Sequence, residues 1–263
     1  MKPEFLSPAS LLSLLSMVLL IMASSPSSAQ SRPSHEAWGT ILERYVSQAP
    51  DGVNRVDYAA LKDSEADREA LDRYIAQFAD ADFDAMSRDE QFAAWANLYN
   101  AVTVRYVVGK YPIDTIKPWY STGPWKSIKV EAGGETISLD GIEHDVLRVQ
   151  WSDDPRLHYA INCASYSCPN LRKAPWVAAT LDADLDEAAR DYVNNPRGVL
   201  VRDKGGLRVS SIYDWFRKDF GGSEEAVIEH LLRYAGAALA SEIRARPDIV
   251  GHDYGWSLND TAD

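Results

Sequence analysis

An α+β fold, with helices packed on a small and mostly antiparallel sheet, follows from three features of the sequence. Helical and strand-like spacings come in blocks rather than in strict βαβ alternation. Paired glycines, Gly133-Gly134 and Gly205-Gly206, separate short alternating runs in the manner of hairpins. With 46% hydrophobic residues the chain is not a disordered one, and its 2 cysteines are too few to staple a small scaffold, so an apolar core must hold it.

The N-terminus reads as an address. Lys2 precedes an apolar run over 11–23, broken by Ser13 and Ser16, and Ser27-Ser28-Ala29 forms a small-x-Ala cleavage site before Gln30. Residues 1–29 are therefore expected to be a signal peptide, with an uncleaved anchor as the alternative; the run is short for spanning a bilayer. Export to an oxidising compartment, periplasmic or secreted, is the corresponding expectation. No later segment is long and apolar enough for an integral membrane segment. Without internal repeats or low-complexity linkers, residues 30–263 are expected to form a single domain.

Along that domain, helical spacing covers 38–46 and 66–78, with Asp51-Gly52 marking a turn between them. Ser87-Arg88-Asp89-Glu90 is a capping box, and Phe92, Trp95, Tyr99, Val102 and Tyr106 recur at three- and four-residue steps behind it, until Gly109 and Pro112. A hairpin is expected over 127–139, a short helix over 140–149, and a buried strand over 157–162 followed by a helix start at Pro169. An acidic helix over 181–193, a second hairpin over 199–210 around Lys204-Gly205-Gly206, and helices over 226–234 and 237–244 complete the chain. Ser223 caps the first of that last pair.

Acidic residues outnumber basic ones by 39 to 27, a formal charge of -12, so no basic surplus exists to displace counterions and nucleic acid is not expected as a partner. The densest reactive segment is His158-Tyr159-Ala160-Ile161-Asn162-Cys163-Ala164-Ser165-Tyr166-Ser167-Cys168-Pro169, which holds both cysteines. Cys163 closes the expected strand, and Cys168 stands at the expected helix start, where unpaired N–H groups favour a thiolate. A thiol nucleophile needs a base, and the base a third group to orient it. His144 and His158 are the sequence-near candidates. Strand alternation would send His158 to the face opposite Cys163, which favours His144 as its partner.

Plainer readings stand beside this one. The two cysteines could form a disulfide across a turn, and His158 could be a core histidine. Cys163, Cys168, His144 and His158 are of zinc-ligand type, but their spacing matches no standard zinc pattern, so neither a metal nor another cofactor is expected. Asn97 and Asn100 cost helix propensity inside the strongest helix, as surface residues or as a polar network that holds a carbonyl group. Glu143 reads as a helix N-terminal residue rather than a catalytic acid. Trp119, Tyr120 and Trp125 could line a groove for sugar or peptide, or belong to core and rim.

Five blocks in order carry a resemblance to a known family. They are Trp95-Ala96-Asn97-Leu98-Tyr99-Asn100-Ala101, Ser138 through Arg148, His158 through Arg172, Tyr213-Asp214-Trp215-Phe216 with Asp219-Phe220, and Tyr254-Gly255-Trp256-Ser257-Leu258-Asn259. This set resembles the signature blocks of the DUF547 family, a domain of unknown function, over roughly residues 85–259. Gly255 departs from the family pattern, where many relatives carry Asp. By analogy the resemblance implies a papain-like or transglutaminase-like thiol fold, in which a Cys, a His and an Asn or Asp converge. It favours Cys163 as the reactive thiol and keeps His144 and His158 in play.

The expected function is thus an exported thiol-dependent hydrolase or acyl transferase. Cys163 attacks an amide or thioester carbonyl, His144 or His158 moves the proton, and Asn97 or Asn100 orients or donates, with Cys168 beside the nucleophile. The substrate would be a peptide, a glycan or a small molecule. The alternative is a non-catalytic periplasmic binding domain with a structural Cys163–Cys168 disulfide. A third reading is a thiol–disulfide exchanger with C-x4-C spacing.

Overall fold

Helices form where the sequence sets apolar side chains three and four residues apart, and they begin where a small polar side chain can satisfy the free N–H groups. The computed structural model describes residues 32–118, 121–202 and 205–262; the expected signal segment 1–29, Trp119, Tyr120 and Lys204 lie outside them. α1 (Glu36–Tyr45) buries Trp38, Ile41, Leu42 and Tyr45 along one stripe. β1 (Val46–Gln48) and β2 (Asn54–Val56) pair as a short antiparallel hairpin. Asp57 caps α2 (Tyr58–Asp63) and Ser64 caps α3 (Glu65–Ala76), each side chain accepting a backbone N–H of the first turn. α4 (Arg88–Lys110) opens on the expected capping box, with Ser87 and Glu90 bonding each other's backbone. Its burial is wider than a single stripe: nearly every residue from Phe92 to Val104 is covered, because α4 is the central element and α2 and α3 pack against it.

β3 (Lys129–Ala132) and β4 (Glu135–Ser138) form the first expected hairpin, and both turn glycines, Gly133 and Gly134, take positive φ. The short helix that follows has three parts: α5 (Leu139–Gly141), a π-helical turn (Ile142–Leu147), and α6 (Arg148–Gln150). Next come α7 (Leu157–Ala160), α8 (Leu181–Val193), β5 (Val199–Val201) and β6 (Leu207–Ser210). The chain ends in α9 (Ile212–Trp215), α10 (Glu224–Tyr234), α11 (Ala237–Ala245) and β7 (Ile249–Asp253). β6 lies between β5, antiparallel to it, and β7, parallel to it.

The α+β class is therefore right. The sheet, however, comes in three pieces among the described residues, two of them two-stranded and one mixed three-stranded, because the centre of the larger core is α4 rather than a sheet. No helix of the described residues is long and apolar enough to cross a membrane.

Two hydrophobic cores result. The larger surrounds α4; the smaller joins α8, the three-stranded sheet, α10 and α11. α7 lies between them, with Leu157 and Ala160 in the first and Tyr159 in the second. The expected strand over 157–162 is corrected here: 157–160 is a single helical turn, and all four residues are buried because a core lies on either side. That continuous burial imitates a buried strand in sequence. Pro169 starts no helix; the chain runs irregularly from there to a 3-10 turn at Ala178–Thr180. After β7, the segment from Tyr254 crosses back over the larger core, pairing Leu258 with Ser165 and Asp260 with Val56.

Candidate active site

Where α7 gives way to extended chain, Asn162 builds a sharp turn that presents Cys163. Its side-chain oxygen accepts the N–H of Ala164 at 2.8 Å, and its amide donates to the carbonyl of Pro169 at 2.7 Å. Ala164 has φ of 63°, a left-handed conformation that costs an alanine about 1–2 kcal/mol. Fixed partners hold it: besides the Asn162 bond, the Ala164 carbonyl accepts from Asn259 N–H at 3.0 Å.

Two asparagines of α4 hold irregular chain from beneath, Asn100 at this turn and Asn97 at Trp176. Asn100 donates to the carbonyl of Ala160 at 2.9 Å and accepts from the N–H of Asn162 at 2.8 Å. Asn97 makes the same reciprocal pair with the backbone of Trp176, at 2.8 and 3.0 Å. Both are buried, so the surface reading is corrected, and the polar network is what the structure has. Neither lines the cavity. A helix-disfavouring residue is tolerated here because it satisfies backbone groups that irregular chain would leave unpaired.

The two sulfurs are free and lie 2.7 Å apart, Cys168 buried and Cys163 partly exposed to the cavity. Cys168 Sγ accepts the N–H of Cys163 at 3.0 Å and the phenol O–H of Tyr254 at 3.1 Å. Ser165 donates to the same phenol at 2.9 Å, and its hydroxyl lies 3.2 Å from Cys163 Sγ. Burial opposes ionisation of Cys168, but the donors converging from Cys163 and Tyr254 outweigh it and lower this thiol to about 7. Cys163 moves up instead, through burial and then its bond to Cys168. The two thiols are thus driven apart in acidity, Cys168 downward and Cys163 upward.

Above the pair opens a cavity of about 250 Å³ with two unlike walls. Tyr99, Asp140, Glu143, His144 and His158 form the polar one. Desolvation, followed by the charge of Cys163, raises the Glu143 carboxyl to about 7, while the Tyr99 phenol donates to it at 3.3 Å. Glu143, which stands in the first turn of the π-helical segment, thus has its carboxyl poised near neutrality. The π turn explains how Glu143 and His144 both reach the cavity, since its wider spacing brings consecutive side chains toward one side.

His158 is buried against the ring of Phe216, at 4.1 Å between centroids, and its Nε2 bonds Asp219 at 2.8 Å. Asp219 also accepts from Arg148 Nε and Nη2 at 2.6 and 3.0 Å, and Arg148 Nη1 reaches His144 Nδ1 at 2.9 Å. Burial lowers both imidazoles first, and Arg148 lowers them further. Neither histidine hydrogen-bonds a sulfur, although both share the cavity with Cys163.

The facing wall is aromatic: Trp125, Trp215, Phe216, Tyr254 and Trp256. Trp215 and Trp256 stack at 5.7 Å, Tyr254 and Trp256 meet at 4.6 Å, and Lys117 lies over the Trp256 ring at 4.6 Å. Of the expected aromatic cluster only Trp125 falls within the described residues. Asp219 and Tyr254 went unnoticed as site residues in the sequence. The single signal for them lay in the C-terminal blocks that carry them. No group of three or more His, Cys, Asp or Glu among the described residues is arranged to hold a metal ion.

Residues 83–193 match the family model described as "Protein of unknown function, DUF547". That segment contains both cysteines, Glu143, His144 and His158; Trp215, Phe216, Asp219, Tyr254 and Trp256 lie beyond it. No curated protein and no solved structure matches the chain.

Proposed function

This chain belongs to the DUF547 family, and from that premise and the contents of the cavity we propose that it is a thiol-dependent hydrolase or acyl transferase acting on an amide or thioester. One observation carries the reading: two sulfurs 2.7 Å apart and the buried Glu143 carboxyl meet in one aromatic-walled cavity. Cys163 Sγ attacks the carbonyl carbon, the C=O electron pair moves onto oxygen, and the thiol proton passes to Cys168 Sγ. On collapse, the bond to the leaving group breaks and the leaving atom takes a proton from the Glu143 carboxyl. Water, or an acceptor amine or alcohol, then attacks the thioester on Cys163 and gives its proton to the Glu143 carboxylate. The departing Cys163 sulfur recovers its proton from Cys168.

The scheme needs Cys168 ionised and Glu143 protonated. Activity should therefore fall below pH 7 as Cys168 takes up a proton, and above it as Glu143 loses one, a bell centred near the shared value of about 7. Export to the periplasm or the exterior belongs to the same proposal, supported by the address-like residues 1–29. The substrate is a peptide, a glycan or a small molecule that fits between the polar and aromatic walls.

Mass spectrometry after iodoacetamide treatment, with and without reductant, tests the reading. Cys163 should be the labelled position, and Cys163→Ser should abolish labelling there. If neither cysteine labels under either condition, the proposal fails. A second reading, thiol–disulfide exchange, draws on the 2.7 Å separation of the sulfurs. An insulin-reduction assay with no turnover above background disposes of it.

A further inference from the structure

Arginine has five N–H donors and no acceptor, and it stays charged at any pH a folded protein meets. That decides the state of His144. Arg148 Nη1 lies 2.9 Å from His144 Nδ1, so Nδ1 must present its lone pair. In the neutral ring the proton then sits on Nε2. Protonating Nδ1 would set one N–H against another. Arg148 is itself fixed, with Nε and Nη2 on the two oxygens of Asp219 at 2.6 and 3.0 Å, and Asp219 also accepts from His158 at 2.8 Å. All the donors point one way: His158 and Arg148 into Asp219, and Arg148 into His144.

Other groups around the ring pull in both directions. Asp140 lies 3.8 Å from Nε2, and with Asp145 and Asp219 it favours an imidazolium. Burial and Arg148 oppose it, and the net effect is a lowered pKa. Phe216, at 6.2 Å between ring centroids, brings no charge.

From this geometry we infer that His144 is a neutral Nε2–H donor to the carbonyl oxygen of the substrate, and not the acceptor of the thiol proton. The inference rests on the cavity being the thiol-dependent centre proposed above. When the Cys163 sulfur–carbon bond forms and the C=O pair moves onto oxygen, the donor holds the oxyanion without giving up its proton. Arg148 acts through His144 as a positioning residue. A neutral donor suits an uncharged carbonyl, as in an amide, an ester or a thioester, rather than a carboxylate or a phosphate.

Long-range ¹⁵N–¹H correlation spectra of the ¹⁵N-labelled full chain read the tautomer directly, with the signal assigned by its loss in His144→Gln. The expected result is an Nε2–H ring at pH 7 that is less protonated at pH 6 than a free imidazole, which is about three-quarters charged there. A proton on Nδ1 at pH 7, or a titration midpoint above the free value of about 6.5, overturns the inference. Arg148→Met should mix the tautomers and raise the midpoint; an unchanged ring in a folded variant also overturns it. The wild-type spectrum decides the matter should that variant not fold.

Iodoacetamide alkylation of Cys163 across pH supplies the second arm. His144→Gln should leave the midpoint of the rate profile where the wild type has it, and a shift beyond about half a unit, where 1.36 kcal/mol is one unit, makes His144 the base and ends the inference. Failure of Cys163 to label in the wild type overturns the thiol reading instead, and the tautomer is still read without it.

Discussion

The wall that α4, α5 and the π turn contribute to the cavity holds Tyr99, Asp140, Glu143 and His144, whereas the wall facing it holds Trp215, Phe216, Tyr254 and Trp256. On the first, protonation is tuned by surroundings: burial and then the charge of Cys163 raise Glu143, and burial and then Arg148 lower His144. On the second, stacked rings fix one another, and the Tyr254 phenol is the single titratable group of those four. The difference is one of kind, with titratable groups on one side and packed rings on the other. The thiols lie between, and one of them borrows a donor, Tyr254, from the aromatic side.

The largest expected effect breaks the polar wall. Glu143→Gln removes the proton carrier and should lower turnover of an activated aryl thioester by about 10²–10⁴-fold, the usual worth of general acid–base catalysis. Steady-state rates at pH 7 check this, and a change below tenfold would move the proton to another group.

Support for the aromatic wall comes next in size. α9 carries Trp215 outward and Tyr213 inward, where the Tyr213 phenol lies 3.1 Å from that of Tyr159. Tyr159 also bonds His230 Nε2 at 2.7 Å. Tyr159→Phe leaves both buried partners short of a bond, which should cost about 1–3 kcal/mol in urea unfolding. No change in the midpoint would mean that this wall does not depend on the core beneath it.

The third effect is in the pH dependence of stability. Folding raises the Glu143 carboxyl from 4.5 to about 7, so across that window the native state holds more protons than the unfolded chain. Its contribution is full below 4.5 and is lost as pH rises through about 7. The difference in unfolding free energy between wild type and Glu143→Gln should fall over that range, and a flat difference would place the carboxyl in water. Smallest is Trp215→Ala: a side chain 48% exposed should cost under about 1 kcal/mol of stability, while raising KM for the aryl thioester more than it lowers kcat. An equal fall in kcat would give the aromatic wall a share of the chemistry.

Much of the fold could be read from sequence because local signals and tertiary packing agree along most helices. Ser87 and Glu90 mark the start of α4, and the 181–193 expectation coincides with α8. The misreading at 157–162 has a physical origin: periodicity reports one buried face, and α7 has two. Of the site, the cysteines, His144 and His158 stood out as residue types, and Asn97 and Asn100 as residues that a helix disfavours. Glu143 read as a helix N-terminal residue because its burial beside Tyr99 depends on tertiary packing that no spacing rule announces. Asp219 and Tyr254 reach the site from 61 and 91 residues away in their contacts with His158 and Cys163, a distance over which sequence patterns say nothing.

The segment after β7 has a consequence in time as well as in space. Leu258 pairs with Ser165, Asn259 N–H with Ala164, and Tyr254 with both sulfurs, all across some 86 to 95 residues of chain. During synthesis the helices around α4 can form before those residues exist, but the turn at Cys163 cannot be closed. The turn at Cys163 is thus closed only after residues 254–259 have been made. Until Tyr254 arrives, the two thiols stand without the phenol that donates to Cys168.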